Sequence, residues 1–272
     1  MRSYPHRLGI GILTAVAVGV CLPVLTGHWV NAQTPGGTKE GQRPALRCTG
    51  NIRNGNGNGI CTFGPITPGQ PYRYYKGDLR NGLPNGRGVF VLANDDRYEG
   101  QVVNGKYNGQ GVYVFANNDR YEGGFRNNLY NGQGTLIYQG SRYTGGFRNG
   151  LFDGRGTLIG AGGDTYTGTL KAGQPHGSGT LKFGGRTYTG QFHLGQANGR
   201  GVVVNQDGSR CEGTFFSSLL SGRGTCTFPA RSGIRSYTGE LRNGRPEGEG
   251  VMVFTNGRRV AGQFRNGSPL AQ

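Results

Sequence analysis

The chain has 272 residues, 56 of them glycine, with 33% hydrophobic residues and a formal net charge of +16. Glycine at about a fifth of the chain is roughly three times ordinary usage. No Gly-x-y triplet persists and aromatic residues make up 10%, which excludes collagen and a disordered glycine-rich tail.

The first element is an N-terminal leader. Arg2, His6 and Arg7 form a basic start, Leu8 to Leu25 is a nearly uncharged apolar run, and Val30-Asn31-Ala32 offers small or aliphatic residues for a cut after Ala32. Residues 1–32 therefore read as a secretory signal peptide. The alternative is an uncleaved membrane anchor over residues 8–25, since that run nearly reaches bilayer length. Removing Arg2 and Arg7 from the 30 basic residues leaves 28 against 14 acids, a net +14. Without Cys21, four cysteines remain: Cys48, Cys61, Cys211 and Cys226. An even number in an exported chain favours disulfides. Residues 33–47 read as a flexible linker.

From residue 48 to 267 the chain repeats. "YKGDLRNGLPNGRGVFVLANDDR" is followed by "YEGQVVNGKYNGQGVYVFANNDR", and copies start at Tyr75, Tyr98, Tyr121, Tyr143, Tyr166 and Tyr188. Cys211 and Tyr237 begin two more, Cys48 begins a degenerate first copy, and Val260 to Gly267 is a last partial one. A short period held this long predicts a solenoid of stacked units. Residues 268–272 are left as a tail.

Each unit reads as a β-hairpin. Tyr98, Gly100 and Val102 alternate onto one face of a strand. Asn104-Gly105 supplies the positive φ of a tight reversal. Gly111-Val112-Tyr113-Val114-Phe115 is a β-branched and aromatic second strand. If Gly100 faces Gly111, Tyr98 faces Tyr113. The same register on Gly50/Gly59 and Gly213/Gly224 sets Cys48 opposite Cys61 and Cys211 opposite Cys226. Directly opposed residues lie within disulfide range, so two hairpin-closing disulfides are expected. The first unit is two residues shorter, a loss read here as falling in its turn.

"YEGQVVNGKYNGQG" and "YTGELRNGRPEGEG" resemble the MORN (membrane occupation and recognition nexus) repeat, written around Tyr-x-Gly, an apolar residue, Asn-Gly and Gly-x-Gly. The resemblance covers residues 48–267. It implies an all-β fold, a single-layer twisted sheet of stacked β-hairpins. Departures are Asn128 and Ser218 for turn glycines, and Ala172-Gly173 and Leu194-Gly195 for Asn-Gly. Family members serve as scaffolds, peptide-binding grooves, dimerisation modules and appendages to enzymes, so the resemblance alone gives little function. It leaves a homodimer open.

The catalytic inventory is empty. No Ser/His/Asp set assembles, and the Gly-x-Gly steps lack the Lys-Ser/Thr of a phosphate loop. His176 and His193 fall at unrelated repeat positions, and the pair alone would lack metal ligands. No catalytic residue, cofactor or metal is expected.

Two sets of rows remain as candidate surfaces. Tyr75, Tyr98, Tyr121, Tyr143, Tyr166, Tyr188 and Tyr237, with Phe125, Phe147 and Phe192, form an aromatic face. Such rings stack as the repeat packing and, if open on one side, bind a protein or peptide. Arg80, Arg126, Arg148, Lys171, Arg242 and Arg265 form a basic row one position after the apolar row. Further cations precede the tyrosines (Arg97, Arg120, Arg142, Arg210, Arg259) or stand between the paired glycines (Arg87, Arg155, Arg200, Arg223). Rows of this kind suit an anionic membrane surface or envelope polymer, and export disfavours nucleic acid. The expectation is a non-enzymatic interaction scaffold in the periplasm or at the cell surface, binding a protein or peptide through the aromatic face or an anionic surface through the basic rows.

Overall fold

The computed structural model describes residues 46–63, 72–217 and 219–270. The leader, residues 33–45 of the expected linker and Ser218 lie outside them. The described residues form an antiparallel sheet of twenty hairpin-connected strands, and no α-helix occurs among them. The all-β class of stacked hairpins is the one the repeat predicts. The described residues divide into two compact units, one ending at Gly154 and one beginning at Arg155.

In the N-terminal unit, β1 (Leu46–Arg53) pairs with β2 (Asn56–Phe63) and β3 (Tyr72–Arg80) with β4 (Leu83–Leu92). The next hairpins are β5 (Arg97–Val103) with β6 (Lys106–Val114) and β7 (Arg120–Arg126) with β8 (Leu129–Tyr138). Then come β9 (Ser141–Arg148) and β10 (Leu151–Ile159), which runs on past Gly154. In the C-terminal unit, β11 (Thr165–Lys171) pairs with β12 (Gln174–Phe183) and β13 (Arg186–His193) with β14 (Gln196–Val204). β15 (Arg210–Phe216) pairs with β16 (Ser221–Thr227), and a 3-10 turn at Ala230–Ser232 follows. β17 (Ile234–Arg242) and β18 (Arg245–Phe254) precede β19 (Arg259–Arg265) and β20 (Ser268–Pro269). Residues 268 and 269 of the expected tail thus close a last short hairpin.

The tight turns have positive φ at both central residues, +50° at Asn104 and +75° at Gly105. That is the type I′ geometry whose twist suits a two-residue hairpin. Ala172 at +49° and Leu194 at +47° adopt it without asparagine. Glycine faces glycine on the mapped strand pairs from Gly50 to Gly145 in the N-terminal unit. The same holds from Gly168 to Gly262 in the C-terminal unit.

The sequence register meets a β-bulge beyond these glycines. In β5–β6 Gly100 faces Gly111 but Val102 faces Tyr107, so Gln101 opposes the three residues Asn108, Gly109 and Gln110. The same shift follows the glycine in β3–β4, β7–β8, β11–β12, β13–β14 and β17–β18. A bulge interrupts the ladder locally, and the tyrosine answers it. The Tyr98 hydroxyl donates to the Gln101 carbonyl at 2.6 Å. Tyr75, Tyr121, Tyr166, Tyr188 and Tyr237 bond likewise to the carbonyls of Asp78, Gly124, Thr169, Gln191 and Glu240 at 2.7–3.0 Å. This is why the anchor is tyrosine and not phenylalanine.

The cysteine hairpins have neither bulge nor tyrosine. β1–β2 and β15–β16 pair continuously, with Cys48 opposite Cys61 and Cys211 opposite Cys226. Both pairs are disulfide-bonded, with Cα–Cα distances of 4.0 and 3.9 Å, as the register predicts. The two residues missing from the first unit are therefore those of the bulge. Its Asn54-Gly55 turn is intact, with φ of +49° and +76°, which corrects the reading that placed the loss in the turn. The eighth unit keeps its length and spends the extra residues in a wider turn between Phe216 and Ser221.

Candidate functional site

The predicted aromatic face is the interior of the repeats. Tyr75, Tyr98, Tyr121, Tyr166, Tyr188 and Tyr237 have 0% relative exposure, and Tyr143, Phe125, Phe147 and Phe192 lie between 1 and 4%. The glycine pair makes this possible. A Cβ built on Gly111 would stand 2.6 Å from the Tyr98 ring, so the ring lies over the glycines of its own hairpin. Its far side is stacked on Tyr107, with centroids 3.8 Å apart, and its edge meets Phe125 of the next hairpin at 5.1 Å. The Tyr121 and Tyr143 rings repeat the stack on Tyr130 and Phe152. The expectation of an open aromatic binding face is thereby corrected: the rings are covered by a row the sequence reading missed. Tyr107, Tyr130, Phe152 and Ala197 belong to it and are buried, as are Pro84, Pro175 and Pro246 at the equivalent positions. Their signal was the recurrent apolar residue two positions after Asn-Gly. Burial also raises the phenol pKa values, to about 12 for Tyr143, Tyr188 and Tyr237 and higher still for Tyr98 and Tyr121.

The basic rows differ in how they are neutralised. Arg97, Arg120 and Arg210, just before the tyrosine or cysteine anchors, pair with Glu99, Glu122 and Glu212 two residues on, at 2.5–2.8 Å. Arg223 pairs with Glu240, whose carboxyl it holds below the usual range. The predicted row at the hairpin tips is different. Arg80, Arg126 and Arg148 in the N-terminal unit are exposed, as are Lys171, Arg242 and Arg265 in the C-terminal unit. Of these six, Arg148 alone has an ion pair among the described residues, to Asp153 at 2.9 Å. The tip cations of the hairpins from β3 to β8 face aliphatic residues. Arg80 pairs with Leu83, which is 44% exposed, and Lys106 with Val103, which is 48% exposed.

On the sheet face opposite the rings, the N-terminal unit carries an open trough of about 760 Å³. Lys76, Arg87 and Arg97 line it together with Glu99, Glu122 and Val112, so its charges are mixed. In the C-terminal unit the corresponding face carries hydrogen-bonded threonine pairs, Thr180 with Thr189 and Thr225 with Thr238, at 3.1 Å.

The histidines are closer than their repeat positions suggest. Gly177 faces Phe192 across β12 and β13, and the next position of that register sets His176 opposite His193. Their ring centroids are 5.1 Å apart. Reading the register only within each hairpin concealed this, because the pair lies between hairpins.

Stacked hairpins with a buried ring interior define a β-hairpin repeat architecture. The MORN repeat model matches residues 75–97, 98–120, 121–140, 143–165, 166–185, 188–210, 211–232 and 237–258. The chain therefore belongs to the MORN-repeat family. MORN repeats are a non-catalytic repeat type and are commonly protein or membrane interaction modules. No curated protein matches the chain. Among solved structures it is similar to the TCP domain of Drosophila melanogaster SAS-4 in complex with a proline-rich motif of Ana2. That match has 12% identity and a TM-score of 0.33, covering 65% of this chain and 84% of that one. Virginiamycin B lyase from Staphylococcus aureus matches at 11% identity and a TM-score of 0.13, covering 66% and 70%. The two disulfides fit an oxidising environment. Among the described residues no helix is long and apolar enough to cross a membrane.

Proposed function

We propose that the chain is a non-enzymatic, exported scaffold that attaches to an anionic bilayer surface through its hairpin tips. The observation that carries this reading is the difference between the cation rows. The arginines before the anchor positions are largely matched by carboxylates of their own strand. The tip row is exposed and, apart from Arg148, has no acid among the described residues. Leu83, opposite Arg80, and Val103, opposite Lys106, stand exposed at hairpin tips, and an edge of cations and aliphatics suits headgroups with shallow insertion. Protein binding through the aromatic rings loses support because the rings are covered.

Each basic residue near an anionic surface contributes about 1 kcal/mol. The triple variant Arg80→Gln/Arg126→Gln/Arg148→Gln is therefore expected to weaken binding to phosphatidylglycerol-containing vesicles about a hundredfold. Cosedimentation measures it, with binding to the native chain falling as salt rises. The paired arginines provide the control: Arg97→Gln/Arg120→Gln is expected to change binding little. Equal losses in the two variants would reduce the reading to bulk charge, and salt-insensitive binding to purely zwitterionic vesicles would refute it.

A further inference from the structure

His193 takes the tip-row position after Phe192, opposite Gln196, His176 lies on the neighbouring strand, and the two rings stand close together. His176 lies on β12 where β6 has Asn108 and β18 has Glu247. Those side chains each accept the amide of the next turn, Asn108 from Asn127 at 3.2 Å and Glu247 from Asn266 at 2.9 Å. His176 makes no such bond, and its Nδ1 is buried without a hydrogen-bond partner. Buried polar atoms in native proteins are nearly always partnered, so this nitrogen calls for an explanation. His193, the cross-strand neighbour, is exposed.

The ring separation supplies one. A Zn–N bond is about 2.0–2.1 Å and an imidazole nitrogen lies about 1.15 Å from its ring centre, so each centroid stands about 3.2 Å from a bound zinc. At the tetrahedral angle two such centroids are about 5.2 Å apart, and at a right angle about 4.5 Å. The observed 5.1 Å matches the tetrahedral case. Among the described residues no group of three or more His, Cys, Asp or Glu gathers, so the described residues offer two ligands and leave the other positions to water. Such a site is open and exchangeable, unlike a closed four-ligand structural site.

We propose that His176 and His193 form a cross-strand site for a divalent transition metal of zinc type, held between the β11–β12 and β13–β14 hairpins. Titration calorimetry of the full chain with Zn²⁺ tests this. The native protein is expected to bind zinc at the pair, and His176→Gln and His193→Gln are each expected to weaken that binding about tenfold or more. His6 and His28 are unchanged in both variants, so any contribution of theirs cancels. His193 is exposed, and its variant keeps the test valid if His176→Gln folds poorly. A second readout needs no variant: substoichiometric paramagnetic Ni²⁺ should broaden the NMR signals of both imidazoles together. Undiminished zinc affinity in His193→Gln, no binding at millimolar zinc, or broadening of only one of these two rings would each overturn the site.

Discussion

Replacing Gly111 with alanine puts a Cβ 2.6 Å from both the ring and the hydroxyl of Tyr98. The ring cannot swing aside freely, because Tyr107 is stacked on it and Phe125 meets its edge. Displacing it breaks the hydroxyl bond to the Gln101 carbonyl, about 1 kcal/mol. It also disturbs aromatic contacts that contribute about 0.5–1.5 kcal/mol and adds overpacking strain of about 1–3 kcal/mol. The sum is about 2.5–5.5 kcal/mol. Gly105→Ala offers a contrast in the same hairpin. Nothing lies within 4 Å of its Cβ, and the obstacle is a φ of +75°, a left-handed conformation costing about 1–2 kcal/mol. Hydrogen exchange measured on peptides from β5 and β6 separates the two. Gly111→Ala should lower protection there by on the order of a hundredfold or more, and Gly105→Ala by about tenfold. Equal effects would refute the claim that these glycines seat the tyrosine ring.

Tyr98→Phe keeps the stack but leaves the Gln101 carbonyl uncapped, and should cost about 1–2 kcal/mol by urea denaturation. Leu194 is 63% exposed in a left-handed turn position, so Leu194→Asn should raise the melting temperature, with a gain of about 1 kcal/mol. Removing the second disulfide with Cys211→Ser/Cys226→Ser should cost about 3 kcal/mol for its loop, with lost exchange protection concentrated in β14 to β17 because repeats lean on their neighbours. The anchor tyrosines have folded pKa values raised above their ordinary 10, to about 12 at Tyr143, Tyr188 and Tyr237. The folded state therefore holds protons that the unfolded state loses, and their contribution is complete below pH 10. Thermal melts at rising pH should lose stability from about 10 through 12, and a flat profile across that window would contradict the burial of the phenols.

The period, the glycine register and both disulfides were legible because the paired glycines recur at a fixed place in each unit and Asn-Gly marks most reversals. The bulge was not, since counting residues from glycine to glycine does not say where the two extra residues sit. Its absence from β1–β2 made a shorter hairpin look like a shorter turn. The burial of Tyr98 escaped for a related reason. An alternating pattern assigns a ring to a face, but it does not say that the ring will lie down over Gly111 and be closed in by Tyr107. The six tip cations were found from the repeat, but the pairing of Arg97 with Glu99 needed side-chain positions to separate that row from the tip row, where Arg148 is the one of the six with an ion pair among the described residues. The His176–His193 contact depends on register between hairpins, where connecting lengths vary.

The use of either a tyrosine-capped bulge or a disulfide in the mapped hairpins from β1 to β18 bears on how such repeats can be re-engineered. Swapping Tyr98 and Tyr113 for cysteines would bring two thiols to facing positions while leaving Gln101 opposite three residues with its carbonyl uncapped. A staple in this scaffold is a property of the whole hairpin. It can be transplanted with the two-residue deletion of β1–β2 or with the widened turn of β15–β16, but a point substitution would combine a crosslink with a kink that nothing else secures. The two cysteine hairpins are thus two different backbones for one crosslink, and each carries its staple only as a whole unit.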